Sequence, residues 1–254
     1  MTDSLVLTEV KGCAAYVTLN RPPLNIITIE MLEQLRDAVT WAFDQKKSLV
    51  VITSNGRAFS AGVDIDSHEE EALNYANDVL REILIMLWTN EIPVIAAVDG
   101  YALGGGCELA MSADLVVGSE RAEIGQPEVA VGSLACFGSS ILPRKISHSH
   151  AMEVLLTGKR FNAQDCYRMG MLNAILPTED FAQHVEEYVS QFEKLSPLML
   201  AKTKKSVIVG DVPDRVAGVM AIDKISREEV TPSFDAKEGM EAFFEKREPR
   251  WRGC

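Results

Sequence analysis

The chain has 254 residues, 47% of them apolar. That is enough to bury the core of one large α/β unit, or of a main domain with a smaller one behind it, and it excludes a disordered chain. The 25 basic residues stand against 37 acidic ones, a net charge of −12, which excludes broad binding to nucleic acid or an anionic membrane while leaving room for a small anionic ligand held by a few local donors.

Residues 5–10, LVLTEV, and 14–20, AAYVTLN, read as two strands joined at Lys11-Gly12, a hairpin signal. RPPLN breaks the pattern. The stretch 28–43 then carries apolar residues at Met31, Leu32, Leu35, Ala38, Val39, Ala42 and Phe43, which is helical spacing. LVVIT, 49–53, is a short wholly apolar strand of the kind found in a sheet covered on both faces. SNGRAFSAGVDID, 54–66, reads as loop, and SHEE at 67–70 as a capping box opening a helix over 71–88. IPVIAAVDG is the next buried strand, with a glycine run close behind it, and ADLVVGS and AEIGQPEVAVG continue the rhythm of strand and turn. Helices are expected over 139–147, 150–157, 163–169 and 180–195. Repeated strand, turn and helix make an α/β fold. Ser196-Pro197 is an N-cap and first-position pair. Beyond it only helical patterns follow, over 197–209, 213–230 and 235–247, the last opened by Asp235 and Glu238 as a second capping box. A boundary falls near 196.

The cysteines, Cys13, Cys107, Cys136, Cys166 and Cys254, show no CxxC pair and fit reduced thiols in a cytoplasmic-type compartment. The N-terminus lacks the pattern of a signal peptide, and the longest apolar run near a helix, ILIMLW, is far short of a membrane span. His68, His148, His150 and His184 have no zinc-binding spacing, so no metal is expected.

ALGGGCELA, 102–110, holds the chemistry-bearing signal. Three glycines in a row carry a heavy entropic cost on folding. Between a buried strand and a helix start they serve either tight packing or the close approach of backbone N–H groups to a negative oxygen; a phosphate loop would need GxGxxG or GK[ST], and neither is present. RAFSAGVDI is a second loop of this kind, with small residues Ser60, Ala61 and Gly62. Glu108 and Glu128 both sit among apolar neighbours, where a carboxylate needs a reason to be. Paired carboxylates beside an oxyanion site suit proton transfer to and from carbon.

IPVIAAVDGYALGGGCELAMSADLVVGSERAEIGQPEVAVG, RAFSAGVDI and EGMEAFFEKR together resemble the crotonase (enoyl-CoA hydratase/isomerase) superfamily, in family order over nearly the whole chain. The resemblance implies an α/β spiral of strand-strand-helix turns holding the active site, residues 1–196, and a C-terminal helical region, 197–254, through which the family forms trimers and dimers of trimers. It further implies an oxyanion hole made by the backbone N–H groups of Val63 and Gly105, with Glu108 and Glu128 as the hydratase acids. Coenzyme A, part of the substrate and not a separate cofactor, would be met by Arg57 and Ala61, and by Phe243 and Lys246 of a neighbouring subunit. Asp66 stands where hydratases often carry lysine, a departure on the CoA side.

The loop after Glu128 departs further. The family pattern G-x-x-P-G-x-G-G-T-Q-R-L is here GSLACFGSSILPR, 132–144. Cys136 and Phe137 replace small residues of the acyl pocket, and Ile141 and Leu142 replace polar ones, which implies a drier pocket of different shape. No histidine stands near Cys136 to make it a nucleophile. RPPLNIITIEML resembles hydratases of anaerobic aromatic degradation, which act on a cyclic dienoyl-CoA such as cyclohexa-1,5-diene-1-carbonyl-CoA. A straight-chain enoyl-CoA hydratase and an enoyl-CoA isomerase are the enzyme alternatives. An RNA-binding member of the superfamily would call for a basic stripe, which a net charge of −12 opposes.

Overall fold

The computed structural model describes residues 4–64 and 70–254. Val6–Lys11 (β1) and Ala14–Leu19 (β2) form the expected hairpin, in register from Val6–Leu19 to Lys11–Ala14, and turn on Gly12 at φ +52°. Ile29–Asp44 (α1) is capped by Thr28, whose hydroxyl accepts from Met31 N. Leu49–Ser54 (β3) lies parallel to β2. The expected loop 54–66 contains a strand, Ala58–Ser60 (β4). Three residues are too few to display the period-two alternation that marks a strand in sequence. Glu70–Thr89 (α2) spans the expected helix; residues 67–69 of the expected capping box, like Asp66, lie outside the described residues.

Val94–Val98 (β5) and Tyr101–Leu103 (β6) lead into Gly105–Met111 (α3), and Leu115–Ser119 (β7) and Glu123–Gly125 (β8) lead into a 3-10 turn, Pro127–Val131. The glycine run therefore follows a second short strand, β6, and not the buried strand β5 itself. Gly138–Lys145 (α4), His148–Thr157 (α5), Arg160–Asn162 (β9), Ala163–Met169 (α6), Ala174–Leu176 (β10) and Phe181–Ser190 (α7) complete this part.

One sheet runs in the order β1-β2-β3-β5-β7-β10, parallel except at β1, and a smaller one in the order β4-β6-β8-β9. Each of β3, β5 and β7 runs on into a strand of the small sheet before the chain turns helical. This strand-strand-helix repeat brings the ends of β4, β6 and β8 side by side. Alternate residues of the large sheet divide between two cores: Ala15, Val17, Val50, Ile52 and Ala96 face α1 and α2, while Tyr16, Val51, Ile95 and Val117 face Phe181, Val185 and Val189 of α7. Covering on both faces is why LVVIT is apolar throughout.

Beyond residue 196 the described elements are helical: Pro197–Gly210 (α8), Arg215–Ile225 (α9) with a π turn at Ser226–Val230, and Phe234–Glu245 (α10). Ser196 caps α8 as expected, accepting from Met199 N, with Pro197 in the first turn. The second capping box is not formed. Ser233 caps α10 by accepting from Ala236 N, which places Asp235 and Glu238 inside the helix. Both carboxylates hold the chain's returning end instead. Asp235 accepts from Arg252 N and Gly253 N and from the Ser196 hydroxyl; Glu238 accepts from the Arg247 guanidinium and from Arg250 N. Among the described residues no helix is long and apolar enough to cross a membrane, and no cluster of three or more His, Cys, Asp or Glu side chains could hold a metal ion.

Candidate active site

The three loop glycines each make room for a different neighbour. Gly104 has φ +53° and ψ −126°, a backbone region that side chains disfavour, and a Cβ there would lie 2.8 Å from Glu128 Oε1. A Cβ on Gly105 would lie 2.7 Å from Val63 Cγ2 and 3.8 Å from Val63 N. A Cβ on Gly106 would strike the Ser60 Cβ and carbonyl oxygen, each at 2.7 Å. The run thus packs the start of α3 against the β4 loop on one side and Glu128 on the other.

That packing brings the amides of Val63 and Gly105 together. Gly62 turns at φ +110°, its N–H donating to Ser60 Oγ at 3.1 Å. Its carbonyl accepts from Ile27 N and the Ile27 carbonyl from Asp64 N, both at 2.9 Å, a parallel bridge that leaves the Val63 N–H unused. Gly105 is the first residue of α3, where helical N–H groups have no internal acceptor. Neither amide has an acceptor among the described residues. Two such N–H groups form an arrangement suited to a developing oxyanion.

Glu108 lies on α3 and is 5% exposed. Its Oε1 accepts from the backbone N–H groups of Phe137 and Gly138, both at 2.8 Å. Burial pushes its carboxyl above the ordinary range, the two N–H donors pull it back, and the charge of Glu128 adds to the rise. Glu128 sits half-buried in the 3-10 turn, and burial pushes its carboxyl up as well. Two interacting carboxyls with raised proton affinity, beside two amides without acceptors, can pass protons to and from a carbon next to a carbonyl.

Phe137 contributes its amide to Glu108 while its ring packs against the core that also buries Ile141 and Leu142. Cys136, just before it, is exposed. Arg57 is exposed and Ala61 half-buried; their N–H groups donate to Pro23 O and Leu24 O, both at 2.9 Å, tying the RPPLN segment to the β4 loop. A cavity of about 360 Å³ opens beside Val63, walled by Ile27, Thr28, Leu73 and Ala76, and neither glutamate is among its described lining residues. Phe243 and Lys246 stand apart from this cluster at the end of α10, where Phe243 is 75% exposed and stacked edge-on against Phe244 with ring centroids 5.7 Å apart. Trp251 does not join them: its ring lies against Gly239 and its Nε1 donates to Lys194 O.

Two further residues of the site carry no catalytic signature in sequence. Gln126 lies against Glu128 and Gly138 donates its N–H to Glu108, and the signal for the first is its place beside Glu128 in the GQPE segment.

The model of the enoyl-CoA hydratase/isomerase family matches residues 9–254. A probable mitochondrial enoyl-CoA hydratase of Dictyostelium discoideum is 36% identical over 96% of this chain and 89% of its own length. The 2,3-dehydroadipyl-CoA hydratase of Escherichia coli is 32% identical over 93% of this chain and 94% of its own. The crystal structure of an enoyl-CoA hydratase from Bacillus anthracis superposes with a TM-score of 0.92 at 28% identity, covering 98% of this chain and all of that one.

Proposed function

The chain belongs to the enoyl-CoA hydratase/isomerase family, and on that footing we propose that it adds water across the double bond of an enoyl-CoA thioester. The observation that carries this reading is the pair of glutamates, each held by its own donors, flanking two backbone amides without acceptors among the described residues. One carboxylate takes a proton from water as the water oxygen bonds to the β-carbon. The π electrons of the double bond move to the thioester oxygen, which the Val63 and Gly105 amides receive as an enolate. The other carboxyl gives its proton to the α-carbon. Two amide donors contribute roughly 3–4 kcal/mol each to such a step. No metal or redox cofactor enters this chemistry; coenzyme A arrives as part of the substrate, met by Arg57 and Ala61.

The acyl group proposed is a compact alicyclic ring, a cyclic dienoyl-CoA, on the strength of the segments 132–144 and RPPLNIITIEML. Bulk at Cys136 and Phe137 suits a flat ring better than a long flexible chain. The preference over crotonyl-CoA is expected to be tens to hundreds of fold in kcat/KM, the range that pocket differences of one or two methylenes supply. The protein works as a trimer or dimer of trimers, in which Phe243 and Lys246 meet the CoA of a neighbour.

The test is a panel of straight-chain and cyclic enoyl- and dienoyl-CoA thioesters turned over in ¹⁸O-labelled water, with products weighed by mass spectrometry. Label in the product is expected. Its absence, with the double bond moved, makes the protein an isomerase, and equal or better turnover of crotonyl-CoA removes the cyclic assignment.

A further inference from the structure

Gln126 immediately precedes the turn that carries Glu128 and is 1% exposed. A buried amide needs a donor's partner at one end and an acceptor's at the other. One orientation satisfies both ends: with the nitrogen toward Glu128, Gln126 donates to Oε1 and Oε2, at 3.0 Å each. The reverse orientation sets an amide oxygen against two carboxylate oxygens. On its other side the same amide meets Gly138, where a Cβ would come within 2.5 Å of its terminal atom and 3.0 Å of Cδ. The N–H of Gly138 is meanwhile one of the two that hold Glu108.

We propose that Gln126 is a positioning residue for Glu128, and that Gly138 lets one loop serve both acids by leaving the space that the Gln126 amide fills. A nitrogen equidistant from both oxygens holds the carboxylate through one shared N–H, and a donor to the charged form is stronger than one between neutral groups. The same donor opposes the rise that burial imposes on Glu128. The titratable groups described around the pair are Glu108 and the Cys107 thiol, both on α3. Burial pushes that thiol well up, which leaves Glu108 as the neighbouring carboxyl that feels the Glu128 charge. The catalytic meaning of the arrangement rests on the hydratase reading; the contact itself does not.

The experiment follows Glu128 directly, by ¹³C NMR of its side-chain carboxyl in the assembled protein, assigned by its loss in Glu128→Gln, alongside kcat and KM against pH. Gln126→Leu removes the donor while keeping bulk. The Glu128 midpoint is expected to rise by about one pH unit and kcat to fall roughly ten- to hundredfold, with KM within about threefold of the parent. Gln126→Glu, which adds a like charge, is expected to raise the midpoint further. Gly138→Ala displaces the same amide and moves the midpoint in the same direction. The double variant Gln126→Leu/Gly138→Ala goes no further than the larger single effect, because both act through one group. An unchanged Glu128 midpoint in Gln126→Leu and in Gly138→Ala overturns the proposal whatever happens to thermal stability; if the first does not fold, the second decides. A shifted midpoint together with wild-type turnover by Glu128→Gln sustains the contact and removes the hydratase reading, so the two fail separately.

Discussion

Glu128 Oε1 stands 2.8 Å from the point where a side chain on Gly104 would begin. The glycine therefore decides where the carboxylate lies, and with φ at +53° it also shapes the turn that presents the Gly105 amide. Gly104→Ala would strain that turn and push Glu128 aside together. We expect a kcat loss of about a hundredfold or more, with near-native circular dichroism. Wild-type turnover by this variant would show that the Glu128 position is not critical.

Replacing either acid by its amide keeps shape and removes proton transfer. Glu108→Gln and Glu128→Gln are each expected to lower kcat about a hundredfold or more. Neither should lose folding stability at neutral pH, since a carboxyl whose proton affinity is raised by burial gives up nothing when replaced by a neutral group. Because the two titrate as a coupled pair, the pH–rate profile should show two apparent midpoints belonging to the pair, and each single variant should leave one. Near-normal kcat in either variant contradicts the two-acid mechanism.

The site's outline was legible in sequence because its parts are costly. Three glycines in a row and two acids among apolar residues have few cheap explanations, so Gly104, Glu108 and Glu128 drew attention unaided. The long elements were legible through their periodicity, as in α1 and β2. The strands β4 and β6 were not, since three residues carry no period, yet with β8 they aim both loops at one point. Gln126 and Gly138 stayed hidden because their roles depend on a contact across twelve residues that no spacing rule anticipates. Asp235 and Glu238 misled because their spacing is that of a capping box, while Ser233 lay two residues earlier and took the cap.

Lys204 joins the helical region to the sheet. Its buried Nζ donates to Leu87 O at 2.8 Å and Ile92 O at 3.1 Å and pairs with Asp114 Oδ2 at 2.8 Å. Burial pulls its proton affinity down, against the pull of Asp114. Lys204→Met would leave two carbonyls without their donor and the Asp114 carboxylate without its cation, held among the described residues only by Val94 N. Breaking such a pair costs about 3 kcal/mol, or roughly 6–12 °C in Tm for a chain of this size. A Tm within about 2 °C of the parent would show α8 to be held by apolar packing alone.

The returning C-terminus carries a pH dependence. The Arg247 guanidinium, and after it the Arg250 N–H, holds the Glu238 carboxyl down to about 2. A carboxyl depressed in the folded state stabilises it fully above its unfolded value, about 4.3, and that contribution disappears as pH falls through the folded value. Glu238→Gln should therefore expose the Arg250 amide, which donates to that carboxylate, to faster hydrogen exchange at neutral pH. The difference from the parent should shrink below about pH 4 and close near pH 2. A difference that stays constant over this range would show that the contact is not ionic.

The helical region leaves large apolar side chains uncovered in the single chain. Val216, Val219, Met220, Phe243 and Phe244 are all at least 63% exposed, the first three on α9 and the other two on α10. Monomeric proteins seldom leave so much apolar surface in water. Copies of the chain that bury these side chains would remove most of it, and an assembly of three or six agrees with the proposed reach of Phe243 and Lys246 into a neighbour. Light scattering at micromolar concentration should give three or six times 27.9 kDa. Val219→Asp with Phe244→Asp, which places charges among these side chains without touching the glutamates, should shift the mass toward one chain. If the assembly completes the CoA site, KM should rise in step with dissociation while the product retains its water oxygen. A parent protein of 27.9 kDa in solution would remove the neighbour from the site altogether.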